Sequence, residues 1–257
     1  MKRLGHIIHR KESGFSLLEM MIALVILGIL TTELVRTNAL SRDYQNLREN
    51  SAHVSVAKTL LLSFLQTNGY LPCPDTDNDG WENRSGDQCS ADSGKLPHLM
   101  LGVSRQDAWN ESLFYKVNTE TTSANISSAN FSASYFASDS APVFTFATPP
   151  TGVTGGSGNL TVCSESATTS CSGATSSDHL LESAAIAVIV SFGKNSAQTW
   201  GYIHSGSLNA LNSVETENAD DDAYFWQSSM DQADDSLAWI TGYESKYALM
   251  KSERGLH

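Results

Sequence analysis

An α+β fold is predicted, built as one long amino-terminal helix whose outer half packs on an antiparallel sheet while its apolar, membrane-length half protrudes. Three observations lead there. Apolar residues run almost unbroken from Phe15 to Thr32, a 3/4 spacing then continues to Asn68, and the later chain is strand-like, led by the apolar run from Ala184 to Phe192. At 257 residues and 40% hydrophobic content, the chain can bury one sizeable core with an appendage.

The first segment is basic and then apolar. Lys2, Arg3, Arg10 and Lys11 against Glu12 give the first 14 residues +3, so the rest carries −15 against an overall −12. An acidic body without an Arg/Lys stripe excludes a nucleic-acid-binding role. A cleaved secretory signal would need small residues after the apolar run, and "TTELVRTNAL" follows Leu30 instead. Phe15 to Thr32 is 18 residues with Glu19 as its only formal charge. At ~1.5 Å per residue that is about 27 Å, the thickness of a bilayer core. The expected topology is single-pass, with the basic leader cytoplasmic and the body across the membrane.

The stretch "KESGFSLLEMMIALVILGIL" resembles the class III signal of type IV pilins and type II secretion pseudopilins, with leader charge, Gly14, Phe15, Glu19 and apolar run in order. The resemblance implies cleavage by a prepilin peptidase after Gly14, methylation of the new terminal Phe15, and a mature chain with glutamate at its fifth place. It also implies a pilin-like fold, a bacterial inner-membrane location, and partners among pilin or pseudopilin subunits and an inner-membrane assembly platform. An ionised carboxylate near mid-bilayer costs ~2.5–3.5 kcal/mol on insertion scales. Cleavage would create a cation to meet it, the α-amino group of Phe15, either in a neighbouring subunit or on the same helix face of the same chain.

Beyond Glu33 the apolar stripe comprises Leu40, Tyr44, Leu47, Val54, Ala57, Leu61 and Phe64, broken only at Ser51. Asn68 and Gly69 supply a left-handed stop, and Pro72 forbids resumption. No proline interrupts the helix, so local melting would use Gly28 and the Thr31/Thr32 pair. The implied organisation is a leader over 1–14, a transmembrane and assembly helix over 15–34, its amphipathic continuation over 35–69, and a head over 70–257.

After the helix, "LPCPDTDNDGWENRSGDQCS" places Asp75, Asp77 and Asp79 before Gly80, like the opening of an EF-hand loop. Its twelfth position is Gly86 rather than glutamate, leaving Glu82 or Asp87 as closing donors. Two readings stay open, a structural Ca2+ site and a solvated acidic turn. The four cysteines lack C-x-x-C spacing, and in an exported domain they read as disulfides. The sequence-local pairing, Cys73 with Cys89 and Cys163 with Cys171, is expected among three connectivities, with free buried thiols as the alternative.

"KLPHLMLGVSRQDAWNESLFYKV" also resembles pilin-like heads, whose Asp-x-Trp turn and tyrosine-bearing strand match Asp107, Trp109 and Tyr115. Asn110 stands where a glycine often follows the tryptophan. These are structural positions, with the Asp side chain capping the turn. From about 118 to 178 the chain is rich in Ser, Thr, Ala and Gly, which predicts a variable insertion of long loops around short strands at "VFTFAT" and "NLTVC". The run from Ala184 to Phe192 is expected to turn at Gly193–Asn195 and pair in a hairpin with a second strand near "TWGYIH". A terminal Asp-Asp turn and a tryptophan-bearing strand complete the resemblance. Asp220, Asp221, Asp222, Asp234 and Asp235 form a second acidic group, open to a cation or to solvent.

No catalytic motif emerges. Ser191 and Lys194 have S-x-x-K spacing at a strand end, which reads as coincidence, and His53, His98 and His204 are isolated. The sequence therefore predicts a processed, non-enzymatic minor subunit of a type IV pilus. The alternatives are a pseudopilin of a secretion piston and a processed, membrane-tethered binding domain that does not polymerise.

Overall fold

The structure is a computed structural model that describes residues 16–86, 88–118, 159–164, 171–205, 213–227 and 234–251. The chain divides into two compact units, Met1–Gln45 and Asn46–His257. Helix α1 spans Leu17–Asn68.

Within the first unit, α1 presents a continuously exposed apolar surface from Leu17 to Val35. Its most apolar 18 residues have a mean hydropathy of 2.1, so α1 is long and apolar enough to cross a membrane. The helix is unbroken at Gly28, where the Thr31 and Thr32 hydroxyls both donate to the Gly28 carbonyl, at 3.0 and 2.7 Å. Those local bonds satisfy both hydroxyls within the helix.

In the second unit the stripe changes role. Val54, Ala57, Leu61 and Leu65 are buried, which is the 3/4 spacing expected of a helix seated on a sheet. The helix ends as its sequence requires: Gly69 has φ +87° and its N–H returns to the Leu65 carbonyl, while Asn68 Nδ2 donates to the Phe64 carbonyl.

The main sheet contains β3 (Ser93–Lys95), β4 (Phe114–Val117), β5 (Leu160–Ser164), β6 (Leu180–Ser191), β7 (Tyr224–Gln227) and β8 (Ser236–Thr241). A small antiparallel pair, β1 (Arg84–Ser85) with β2 (Gln88–Cys89), lies apart from it. β6 is central. Ala185 pairs with both Leu160 and Thr241, so β8 occupies one edge of β6 while β4 and β5 follow one another along the other. All these pairings are antiparallel, and β5 pairs with β7 in parallel. β5 falls inside the span read as an insertion, yet Leu160 and Val162 are core residues.

Both faces of β6 are covered, which accounts for its uninterrupted apolar run. Ile186, Ala187 and Ile189 join the cluster holding α1 and the carboxy-terminal helix, whereas Ala185, Val188 and Val190 join the opposite cluster with Phe114, Phe192 and Phe225. The register shift between Ala185 and Ala187 is a bulge, and it lets two consecutive residues face the same side.

One expectation is corrected. "TWGYIH" is not a hairpin strand; it lies in helix α3 (Ser196–Ser205), entered through a 3₁₀ turn at Gly193–Asn195. Ser196, Thr199 and Trp200 are buried at i, i+3 and i+4, a helical spacing that puts Trp200 against Phe114 and Phe192. The strand expected at "VFTFAT" lies outside the described residues. The remaining helices are α2 (His98–Leu101), α4 (Ser213–Glu217) and α5 (Gly242–Met250), the last opened by a capping box between Thr241 and Glu244.

Candidate functional site

The processing positions Gly14 and Phe15 lie outside the described residues. Glu19 lies in the first turn of α1, its Oε2 accepting the Ser16 N–H at 3.4 Å. An acid there meets the positive end of the helix dipole and the unpaired amides of the first turn. Leu17, Leu18, Met20, Met21 and Ile22 surround it on exposed positions. The result is one carboxylate on an otherwise hydrocarbon surface.

The acidic loop brings Asp75, Asp77 and Asp79 together, with one carboxylate oxygen from each within 4.8 Å of the others. Asp75 is buried and already accepts two backbone donors, Asn78 N on Oδ1 at 2.6 Å and Gly80 N on Oδ2 at 2.8 Å. Asp77 and Asp79 accept the amides two residues on, at 3.3 and 2.8 Å. Backbone dipoles thus offset much of the repulsion that the run of acids suggests. Gly80 has φ +91°, and a Cβ there would stand 2.7 Å from Leu99 and His98, so the turn and its close approach both require glycine. Glu82 joins a different set, accepting from Cys73 N, Tyr70 Oη and Arg84 Nε. Asp87 lies outside the described residues. The Cys73–Cys89 and Cys163–Cys171 disulfides are both formed, the first closing this loop.

A second cluster gathers Glu215 from α4 with Asp234 and Asp235 before β8, again within 4.8 Å. Only the Asp234–Asp235 pair was marked by the sequence; Glu215 joins because α4 packs beside β7, where Val214 meets Trp226. Asp235 is 6% exposed. Its Oδ2 accepts Asn218 Nδ2 at 2.8 Å, while its Oδ1 is buried without a hydrogen-bond partner among the described residues. Burial, then the Glu215 and Asp234 charges, push its carboxyl up to about 8, against the opposing Asn218 hydrogen bond. Gly193, at φ +58°, leaves room for Asp234, whose carbonyl oxygen would be 2.6 Å from any Cβ there. Asp234 Oδ2 accepts the Lys194 N–H at 2.6 Å. Three carboxylates, one of them with an unpaired buried oxygen, form a set suited to a hard divalent cation.

The other acids of that group behave differently. Asp221, at φ +65°, holds Lys116, which is 1% exposed on β4: Nζ lies 2.7 Å from Asp221 Oδ1, 2.8 Å from its carbonyl oxygen and 3.5 Å from Asp92. A lysine in "LFYKV" carries no sequence signal of burial. Asp220 is pushed up to about 6 and Glu217 to about 7, each mainly by desolvation.

Ser191 and Lys194 do not form a catalytic pair. The Ser191 hydroxyl donates to Asp107 Oδ2 at 2.6 Å and accepts from Asn50 Nδ2 at 2.6 Å, and the Lys194 amide is on Asp234. Asp107 Oδ1 caps its turn by accepting Trp109 N and Glu111 N. Asn110, at φ +67°, occupies the left-handed position where a glycine often stands. Tyr115 is buried and donates to the Pro72 carbonyl.

A family model described as the prokaryotic N-terminal methylation motif matches residues 9–32. The chain therefore carries the signature of type IV pilins and pseudopilins, whose processing by a prepilin peptidase and assembly with other subunits that motif implies. No curated protein and no solved structure matches the chain.

Proposed function

We propose that this protein is a structural minor subunit of a type IV pilus. A prepilin peptidase cleaves between Gly14 and Phe15, the apolar helix waits in the inner membrane with its head on the extracytoplasmic side, and an assembly platform inserts it into a helical filament. The observation that carries this reading is a lone carboxylate, Glu19, in the first turn of an exposed apolar helix within the matched motif. Leaving lipid costs such a helix little when identical apolar neighbours replace the acyl chains. A size of 257 residues and a Ser/Thr/Ala/Gly-rich composition over 118–178 favour a minor subunit over the most abundant one.

The test is quantitative mass spectrometry of sheared surface filaments and of the inner-membrane fraction. The expected result is a peptide beginning at methylated Phe15 in the sheared fraction, well below the main subunit in amount. Processed protein confined to the envelope would overturn the pilus assignment in favour of a secretion pseudopilin or a non-polymerising anchor.

The acidic clusters add a cofactor to this reading, a structural Ca2+. Asp75, Asp77 and Asp79 would hold one ion, with Glu82 engaged elsewhere, and Glu215, Asp234 and Asp235 a second. The second set fits the ion better, because Asp235 Oδ1 is otherwise orphaned. A pH dependence follows. The folded state raises Asp235 to about 8, Glu217 to about 7 and Asp220 to about 6, above ordinary carboxylate values, so it binds more protons than the unfolded chain across that range. In a chelator, the stability these groups contribute is therefore fully present below about pH 4 and is lost as pH rises through about 6 to about 8. The half-exposed Glu217 and Asp220 contribute less than Asp235 because solvent screens them. Urea midpoints measured in EDTA should fall from pH 5 to pH 8.5, and excess Ca2+ should restore the loss at the higher pH. A flat profile in EDTA would count against the burial argument.

A further inference from the structure

Helix α5 has two unlike faces. On one, Ala248 and Leu249 are buried in the cluster that also holds Leu61 and Leu65 of α1. The other presents Tyr243, Tyr247 and Met250 at i, i+4 and i+7, exposed by 58%, 59% and 49%. A helix seated on a core ordinarily turns charged and polar side chains to water. Here three large side chains form the outward ridge, two of them tyrosines, a residue enriched where proteins meet.

The ridge is held in place and has little charge to spare. Glu244 pairs with Lys58 of α1 at 2.6 Å while its other oxygen closes the capping box on Thr241. Lys251 Nζ lies 4.2 Å over the Tyr247 ring, and the Lys251 carbonyl oxygen accepts Gln66 Nε2 at 3.3 Å. These bridges join residues 58 and 66 of α1 to residues 244 and 251, so α5 runs alongside the last turns of α1 in the same direction. Next to Lys58, Ser55, Val56 and Thr59 are exposed, and the two hydroxyls already donate to the Ser51 and Ser55 carbonyls. Covering them leaves no hydroxyl unsatisfied.

This arrangement selects its occupant. Two helices side by side leave a furrow in which a third helix packs, its side chains fitting between their ridges. A lipid surface fits poorly, because an interfacial helix needs a basic polar face and the far face of α5 is buried. A body carrying −15 over residues 15–257 is also repelled by anionic headgroups. A charged partner gains little where Glu244 is paired and Lys251 sits on a ring. A helix with an apolar stripe remains, and the matched assembly motif lies on such a helix. We propose that the Tyr243–Tyr247–Met250 face docks the amino-terminal helix of a neighbouring pilin-like subunit, so that α5 widens the assembly surface beyond α1. The inference rests on the reading of this chain as an assembling subunit and adds its last helix to the contact.

The experiment uses the full chain in producing cells, with photoreactive p-benzoylphenylalanine in place of Tyr243 or Tyr247. Leu181 on β6, 47% exposed, is the control position. After irradiation, sheared filaments and envelope are both digested and their cross-linked peptides sequenced. The expected adduct joins α5 to the apolar amino-terminal helix of another methylated subunit, and the Leu181 position does not form it. Replacing Tyr243 and Tyr247 together by alanine should lower incorporation about tenfold, a change of ~1.4 kcal/mol, with the thermal midpoint preserved. No such adduct in either fraction, adducts to lipid alone, the same adduct from Leu181, or unchanged incorporation of the double variant would overturn the proposal. The pilus reading fails separately. Wild-type protein in filaments without the adduct strikes only the α5 surface, whereas the adduct confined to the envelope strikes only the pilus assignment.

Discussion

Replacing Glu19 with alanine should leave the protein in the membrane and remove it from filaments. Removing the only formal charge from residues 15–32 makes insertion easier, by less than the ~2.5–3.5 kcal/mol that a carboxylate costs at the bilayer centre, because Glu19 lies near one end of the span. Assembly should suffer instead. In the proposed filament the carboxylate meets the α-amino group of a neighbour's Phe15 in a low-dielectric core, and unpairing a buried charge costs ~3–5 kcal/mol, or a factor of at least about 100 in incorporation. The measurement is the ratio of Glu19→Ala to wild-type protein in sheared filaments and in membranes, with Glu19→Asp as the conservative control. Normal incorporation of the alanine variant would sink the docking role. A defect in membrane retention or processing, with assembly normal for whatever is processed, would instead favour neutralisation of Glu19 by its own amino terminus.

The elements legible in the sequence are those whose signal is local. α1 and its stop at Asn68–Gly69 follow from spacing and a left-handed cap, and β6 follows from its apolar run. Local disulfide pairing and the capping role of Asp107 follow from residue type and distance along the chain. The misread element, α3, shows where local reading fails. "TWGYIH" has strand-forming residues, but the residues that decide its conformation are Ser196, Thr199 and Trp200, whose helical spacing matters only because Phe114 and Phe192 lie opposite. Tertiary packing overrides propensity there. The same holds for the candidate sites. Asp75, Asp77 and Asp79 are neighbours in sequence and so were visible, whereas Glu215 meets Asp235 only after α4, β7 and β8 are placed. Lys116 gains its role from Asp221, a partner 105 residues away.

The largest loss of stability in the head is expected from Asp107→Ala. This residue is 7% exposed and uses both carboxylate oxygens, holding the 107–111 turn through Trp109 N and Glu111 N and holding β6 through Ser191. Ser191 in turn accepts from Asn50 on α1, so one side chain links a loop, the central strand and the helix. Alanine leaves two turn amides and a buried hydroxyl without their acceptor. Each unsatisfied buried group costs ~1–3 kcal/mol, and partial relaxation brings the expected total to about 4 kcal/mol. Asn50 Oδ1 is already buried without a partner among the described residues, so the network has little spare capacity to rearrange around a second defect. Asp107→Asn keeps the shape and one acceptor oxygen and should lose less, about 2 kcal/mol. Ser191→Ala should cost less again, because Asp107 retains its turn. Urea unfolding of the three variants at constant m-value would rank them. If Asp107→Ala fell within about 1 kcal/mol of wild type, the turn would be held by its backbone alone and the link between α1 and β6 would be dispensable.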